Sequence, residues 1–77
     1  MADKKETLQK SISLNNQLLQ STKDLLRDTQ NSHTQMSKKG SSRDALEDVQ
    51  RAINLLEGKV KRYEDQIRSD EKALKSL

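Results

Sequence analysis

His33 is the only histidine of the chain, and imidazole is the side chain best suited to bind a transition metal or act as a general base. A metal site would need a second histidine, a cysteine or a carboxylate at matching helical spacing, and His33 has none. The chain contains no cysteine, which excludes thiolate ligands, thiol nucleophiles and disulfide bonds. The sequence therefore predicts no metal, no cofactor and no small-molecule substrate.

Nucleophilic catalysis and phosphate binding are predicted to be absent as well. Serine and aspartate are plentiful, but a catalytic triad also needs a pocket that holds its three side chains together. A chain whose only aromatic residue is Tyr63 has no core that could enclose such a pocket. Lys39-Gly40-Ser41 has the residue types of a phosphate-binding loop in the wrong order. We therefore predict that the protein is not an enzyme.

Lys38, Lys39 and Arg43 form a basic cluster that could contact an anion, either nucleic-acid phosphate or an anionic membrane. Three charges make a weak site, and no aromatic residue lies near them to stack on a base. Lysines in the last turn of a helix are also explained by the negative end of the helix dipole. Electrostatic binding through these residues is therefore the alternative function. In the main prediction neither nucleic acid nor a membrane surface is a partner.

The composition indicates which elements can carry these side chains. Only 30% of the 77 residues are hydrophobic, 35% are charged, and proline is absent. Such a chain cannot build a compact globular core, whereas a coiled coil needs only a narrow apolar stripe. Fifteen basic and twelve acidic residues are interleaved, with a net charge of +3, which is typical of a solvated helical surface.

The second half of the chain repeats apolar residues at alternating spacings of three and four, the heptad period of a coiled coil. Nine of its ten a and d positions are apolar, and Asp70 is the exception. These positions are Leu46, Val49, Ile53, Leu56, Val60, Tyr63, Ile67, Asp70, Leu74 and Leu77.

The first half has the same period but only five apolar residues at its ten a and d positions. These positions are Lys5, Leu8, Ile12, Asn15, Leu19, Thr22, Leu26, Thr29, His33 and Met36. Polar residues inside a coiled-coil contact fix its register, and we assign that role to Asn15, His33 and Asp70.

The two arrays are one residue out of phase at Gly40, which predicts a turn instead of one continuous helix. We expect a single hairpin over 1–77, with a first helix over about 3–38, a turn over about 39–41 and a second helix over about 42–77. Gly40 suits the left-handed conformation that ends a helix, and Ser41 followed by Asp44 suits the start of the next. The alternative is one long helix in a parallel homodimer that acts as a spacer rod.

Pairing Met36 with Leu46 in an antiparallel arrangement brings every remaining a position opposite a d position, and brings Lys23 opposite Glu57. The predicted fold is all-α, an antiparallel two-helix coiled-coil hairpin. One side of it is less polar than the other and is predicted to dock a partner, either a second hairpin in a four-helix bundle or a helix of another protein. Its residues are Leu18, Leu25, Ala45, Ala52 and Ala73. Leu14 and Leu55 are interpreted as isolated exposed leucines.

The predicted function is therefore a non-enzymatic coiled-coil module for oligomerisation or protein–protein interaction, a structural subunit or scaffold of a larger assembly. Its partners would be itself or other helical coiled-coil proteins. No apolar run approaches the roughly 20 residues of a membrane span, and no signal-peptide core is visible. We expect an intracellular protein, cytoplasmic or nuclear and not secreted.

Overall fold

The computed structural model describes residues 3–77, which form two α-helices, α1 (Lys4–Lys39) and α2 (Arg43–Lys75). These helices account for 92% of the described residues, and no strand occurs among them. Each helix lies within three residues of the bounds expected from the heptad arrays, and residues 1 and 2 of the expected hairpin lie outside the described part. The long helices follow from the absence of proline and from good caps. Asp3 caps α1 by accepting the backbone N–H of Glu6 at 2.7 Å.

The chain reverses at Gly40, which adopts the left-handed conformation with φ 74° and ψ 34°. The backbone N–H of Gly40 donates to the Ser37 carbonyl at 3.3 Å, and that of Ser41 donates to the Met36 carbonyl at 3.0 Å. This pair of bonds is the Schellman motif, which satisfies carbonyls that the end of a helix would otherwise leave without partners. The one-residue phase shift in the sequence therefore coincides with a helix stop.

The residue that caps α2 is Ser42, and the prediction that Ser41 caps it is wrong. The Ser42 hydroxyl oxygen accepts the backbone N–H of Ala45 at 3.2 Å. Because Ser41 completes the hydrogen bonds that end α1, the next residue is the first that can take the extended backbone of a cap, and Ser42 does so with φ −61° and ψ 153°.

The two helices pack against each other as a helical hairpin with principal extents of 56 × 18 × 14 Å. Three residues of α2 are buried, namely Ile53, Ile67 and Asp70, and no described residue of α1 is buried to the same degree. Two helices of this length touch along a single line, so most apolar side chains keep some contact with water. Neither helix contains a stretch long and apolar enough to cross a bilayer within residues 3–77.

Ion pairs within the described chain join residues of the same helix, such as Glu6 with Lys10 at 3.2 Å and Arg43 with Glu47 at 3.1 Å. The pairing expected between Lys23 and Glu57 is not among them. Exposed pairs of this kind contribute about 0.3–0.5 kcal/mol each to helix stability. The contact between the helices is therefore made by apolar packing and one polar contact described below, not by charge.

The two glycines offer a test of the turn with an internal control. A Cβ at either position would meet nothing within 4 Å, so only backbone conformation separates them. Gly40→Ala should lower the free energy of unfolding by about 1–2 kcal/mol because an L-residue is strained at positive φ. Gly58→Ala lies inside α2 and should raise it by about 0.5–1 kcal/mol. Urea denaturation followed by circular dichroism measures both, and shifts of the same sign would contradict the turn.

Candidate interaction surface

The line of contact between the helices, here the interface seam, contains nearly all of the a and d positions. In α1 the half-buried members are Leu8, Ile12, Asn15, Leu19, Thr22, Leu26, Thr29, His33 and Met36. In α2 Ile53, Ile67 and Asp70 are buried, and Leu46, Val49, Leu56, Val60, Tyr63 and Leu74 are half-buried. The two terminal positions, Lys5 and Leu77, are exposed. The seam therefore ends about one turn short of the open end of the hairpin.

Asp70 is the one buried charged residue of the described chain, with 7% of its surface exposed. Its carboxylate accepts a hydrogen bond from the Ser11 hydroxyl at 2.5 Å and another from the Gln66 side-chain amide at 2.9 Å. The bond from Ser11 joins residues 59 positions apart. Within residues 3–77 it is the one side-chain hydrogen bond that connects α1 to α2. A buried carboxylate is tolerated because both of its oxygens accept hydrogen bonds.

Asn15 reaches this carboxylate only indirectly. Its side-chain amide donates to the Ser11 carbonyl at 2.8 Å and lies 3.3 Å from the Ser11 hydroxyl, so it supports the residue that bonds to Asp70. Sequence reasoning missed Ser11 because it lies at a g position, beside the seam and not in it. Its place in the sequence could have indicated this contact, because Ser11 directly precedes the seam residue Ile12 and shares the g position with Leu18 and Leu25.

His33 is half-buried in the seam and makes no side-chain hydrogen bond within the described residues. No cluster of three or more potential metal-ligating side chains occurs in the same part of the chain. Its role as a register-setting residue stays a prediction.

The predicted docking residues lie beside the seam on one side of the hairpin, which we call the apolar flank. Leu18 and Leu25 keep 38% and 54% of their surface exposed, Ala45 and Ala52 are half-buried, and Ala73 is exposed. All of them occupy g positions, which share one side when two helices pack through a and d.

Two further leucines belong to the same side. Leu14 and Leu55 occupy c positions, which neighbour g on a helix, and they are 56% and 68% exposed. Both are exposed, as expected from the sequence, and their c positions place them beside the residues of the apolar flank. The apolar flank includes every large hydrophobic side chain that is exposed in the described chain, apart from Leu77 near the C-terminal end of α2.

Each side of the hairpin has a groove that is lined by residues of both helices. A groove of about 480 Å³ at the open end has an apolar wall and is lined by c, g and d residues of both helices: Lys4, Thr7, Leu8, Ala73, Ser76 and Leu77. A groove of about 250 Å³ on the opposite side is lined mainly by polar residues: Asn16, Leu19, Glu64, Ile67, Arg68 and Glu71. The e positions of this polar flank include Asn16, Lys23, Glu57 and Glu64, and none is apolar.

The basic cluster lies at the turn, as expected from the sequence, with Lys38 and Lys39 in the last turn of α1 and Arg43 at the start of α2. All three are exposed. The Arg43 guanidinium is 3.1 Å from the Glu47 carboxylate, so one of the three positive charges already has an acidic neighbour. The cluster is a weaker anion site than three free cations would make.

Comparison with protein-family models, with curated proteins and with solved structures finds no match to this chain. The residues of the apolar flank and of the Ser11–Asp70 contact are therefore interpreted from their chemistry alone.

The Ser11–Asp70 contact can be measured by a double-mutant cycle of Ser11→Ala and Asp70→Ala. We expect a coupling energy of about 1 kcal/mol, because the acceptor is charged and buried while the donor is half-exposed. The matched control is Gln50→Ala with Asn54→Ala, whose side chains bond at 3.0 Å within one exposed helix face. That pair should couple by about 0.2–0.5 kcal/mol. A Ser11–Asp70 coupling no larger than the control would show that the contact does not hold the helices together.

Proposed function

We propose that the protein is a non-enzymatic assembly module, an antiparallel coiled-coil hairpin that binds other helices through its apolar flank. In this role it serves as a structural subunit or scaffold of a larger assembly. The observation that carries the proposal is the asymmetry of the hairpin, since Leu14, Leu18, Leu25 and Leu55 are exposed on one side while the e positions of the other side contain no apolar residue. Scattered leucines would need no partner, whereas leucines grouped on one flank are typical of an interaction surface.

The energetics of the seam support a partner. Half of the a and d positions in α1 are polar, and within residues 3–77 only Ile53 and Ile67 are buried hydrophobic residues. Burying a leucine completely contributes about 1.5–3 kcal/mol, so the half-exposed leucines of a lone hairpin contribute well below that amount each. A partner helix on the apolar flank would complete their burial and would add stability that the hairpin alone lacks.

The composition of the flank also supports a helical partner. Ala45 and Ala52 are small, and small side chains beside leucines let a second helix approach closely. Two hairpins joined through this flank would form a four-helix bundle, in which short loops connect antiparallel neighbours. The alternative of electrostatic binding through the turn has less support, because Arg43 is already paired with Glu47.

The antiparallel arrangement can be tested with nitroxide labels at Glu6 and Lys75, two exposed residues near the open end. Labelled chains are diluted in unlabelled protein so that only distances within one chain are measured. In the hairpin we expect about 20 Å between the labels, given interhelical spacings of 8–10 Å and the label linkers. A continuous helix would separate them by roughly 100 Å at 1.5 Å per residue, and that distance would rule out the hairpin in favour of a spacer rod.

The proposed binding role can be tested in the protein's own cells with a photo-crosslinking amino acid placed at Leu25. We expect an adduct with a helical polypeptide, either another copy of the chain or a different protein. The matched control is the same amino acid at Glu64 on the polar flank, which should give none. The adduct should persist between about 50 and 200 mM salt, since apolar contacts are not screened, whereas phosphate binding would collapse. Equal labelling from both flanks, or none from either, would contradict the proposal.

A further inference from the structure

Gly58 lies in the interior of α2, where nothing in the hairpin requires a glycine. Positive φ occurs at Gly40, whereas Gly58 has ordinary helical backbone, and a Cβ added there would meet nothing within 4 Å. A glycine inside a helix destabilises it relative to alanine, because the unfolded chain has more conformational freedom to lose. No contact of the single chain compensates for this loss, whereas close approach by another chain would use the missing side chain.

The missing side chain opens a groove of about 180 Å³ at the outer edge of the apolar flank, which we call the Gly58 groove. It is lined by Asn54, Leu55, Gly58, Lys59 and Arg62. Positions 55, 58, 59 and 62 surround one point on the helix surface, as do the four residues that form a hole for a side chain of a facing helix. Since an apolar cavity of about 150 Å³ holds a benzene molecule, the groove has room for one leucine-sized side chain. Its apolar surface comes from Leu55, which is 68% exposed.

The two cations of the groove have no acidic neighbour. Each of the other four arginines lies 3.1–3.7 Å from a carboxylate of its own helix, whereas neither Lys59 nor Arg62 forms an ion pair within residues 3–77. The sequence explains the difference, because the residues four positions before them are Leu55 and Gly58. Unpaired cations beside an apolar hole favour an occupant that brings carboxylates together with an apolar side chain.

We propose that the Gly58 groove binds an acidic amphipathic helix of another protein, with a leucine-sized side chain in the groove and carboxylates beside Lys59 and Arg62. The inference rests on the proposed function and gives the chemistry of the partner. A helix is favoured because the hole has the geometry that accepts a side chain from a facing helix, and because a glycine lets the two backbones approach. Acidic residues one turn before and one turn after the inserted side chain would reach both cations.

A second copy of the chain does not offer such a helix. Among the exposed large hydrophobic residues of the described chain, only Leu25 has an acidic residue three or four positions away. That residue is Asp28, on one side only, and it lies 3.9 Å from Arg27. Val60 and Ile67 have acidic neighbours on both sides, but they belong to the seam that packs against α1. The groove is therefore suited to a helix of different sequence.

Titration of the full chain with designed helical peptides, followed by NMR chemical shifts, tests the groove. The probe is an alanine-rich helix that carries one leucine, with glutamates one turn before and one turn after it. We expect a dissociation constant between about 50 µM and 1 mM, as for a small, transient contact. Replacing the glutamates by lysines, or the leucine by serine, should weaken binding by about tenfold, since the first brings like charges together and the second leaves the hole empty.

Gly58→Ala should change stability and binding in opposite directions. The added methyl group stabilises α2 and partly fills the groove, so the chain should unfold at higher urea concentration yet bind the probe about fivefold more weakly. Ser13→Ala is the matched control at an exposed position of α1, and it should keep the dissociation constant within about twofold. Arg62→Gln should weaken binding by about threefold, whereas Arg27→Gln removes the same charge beside Asp24 and should not.

Four results would overturn the inference. They are no binding of the probe up to about 2 mM, equal binding of the lysine or serine peptide, an affinity that Gly58→Ala leaves unchanged, and self-association of the purified chain that Gly58→Ala abolishes. The last of these would show a second copy in the groove. Any of them would leave the assembly role standing where the photo-crosslinking amino acid at position 25 still gives its adduct in cells. Failure of both experiments would remove both proposals.

Discussion

Two helices touch along one line, and this geometric constraint determines the rest of the structure. A line of contact can bury only side chains that lie on it, and among the described residues it buries three of them, Ile53, Ile67 and Asp70. The other seam residues remain half-exposed, and the residues at g positions border water on one side. A hairpin of 56 × 18 × 14 Å therefore has no interior in which to place leucines that fall outside the seam. Any leucine beyond the a and d positions must be exposed or covered by another chain.

Different contacts bear on the register of the seam at its two ends. A heptad repeat matches itself after every seven residues, so apolar packing alone would tolerate a slip. At the closed end the short turn excludes such a slip, because Gly40 and Ser41 are bonded to the last turn of α1 and Ser42 begins α2. At the open end no covalent link is near, and the hydrogen bond from Ser11 to Asp70 supplies a directional contact there. The buried charge thus lies where the turn has least influence on the helices.

Much of this fold follows from the sequence because heptad phase and glycine placement are strong local signals. The apolar spacing from Leu46 to Leu74 indicates which face of α2 packs, and the phase shift at Gly40 indicates where α1 stops. Whether the hairpin pairs further into a bundle stays a prediction. The cap of α2 and the partner of Asp70 do not follow from the sequence in this way. The cap depends on which backbone groups the end of α1 already uses, and the partner depends on how far the Ser11 side chain reaches. Ser41 resembles a cap as much as Ser42 does, and only the hydrogen bonds that close α1 decide between them.

The distribution of leucines between the helices bears on what the chain is for. Helix α1 has polar residues at Asn15, Thr22 and Thr29 in the seam, yet it carries leucines outside the seam at 14, 18 and 25. A sequence suited only to a stable hairpin would place those leucines at the polar seam positions, where α2 would cover them. The arrangement instead gives α1 two apolar stripes on neighbouring faces, one covered by α2 and one exposed. A helix with two such stripes is suited to contact two neighbours, and a hairpin supplies only one of them.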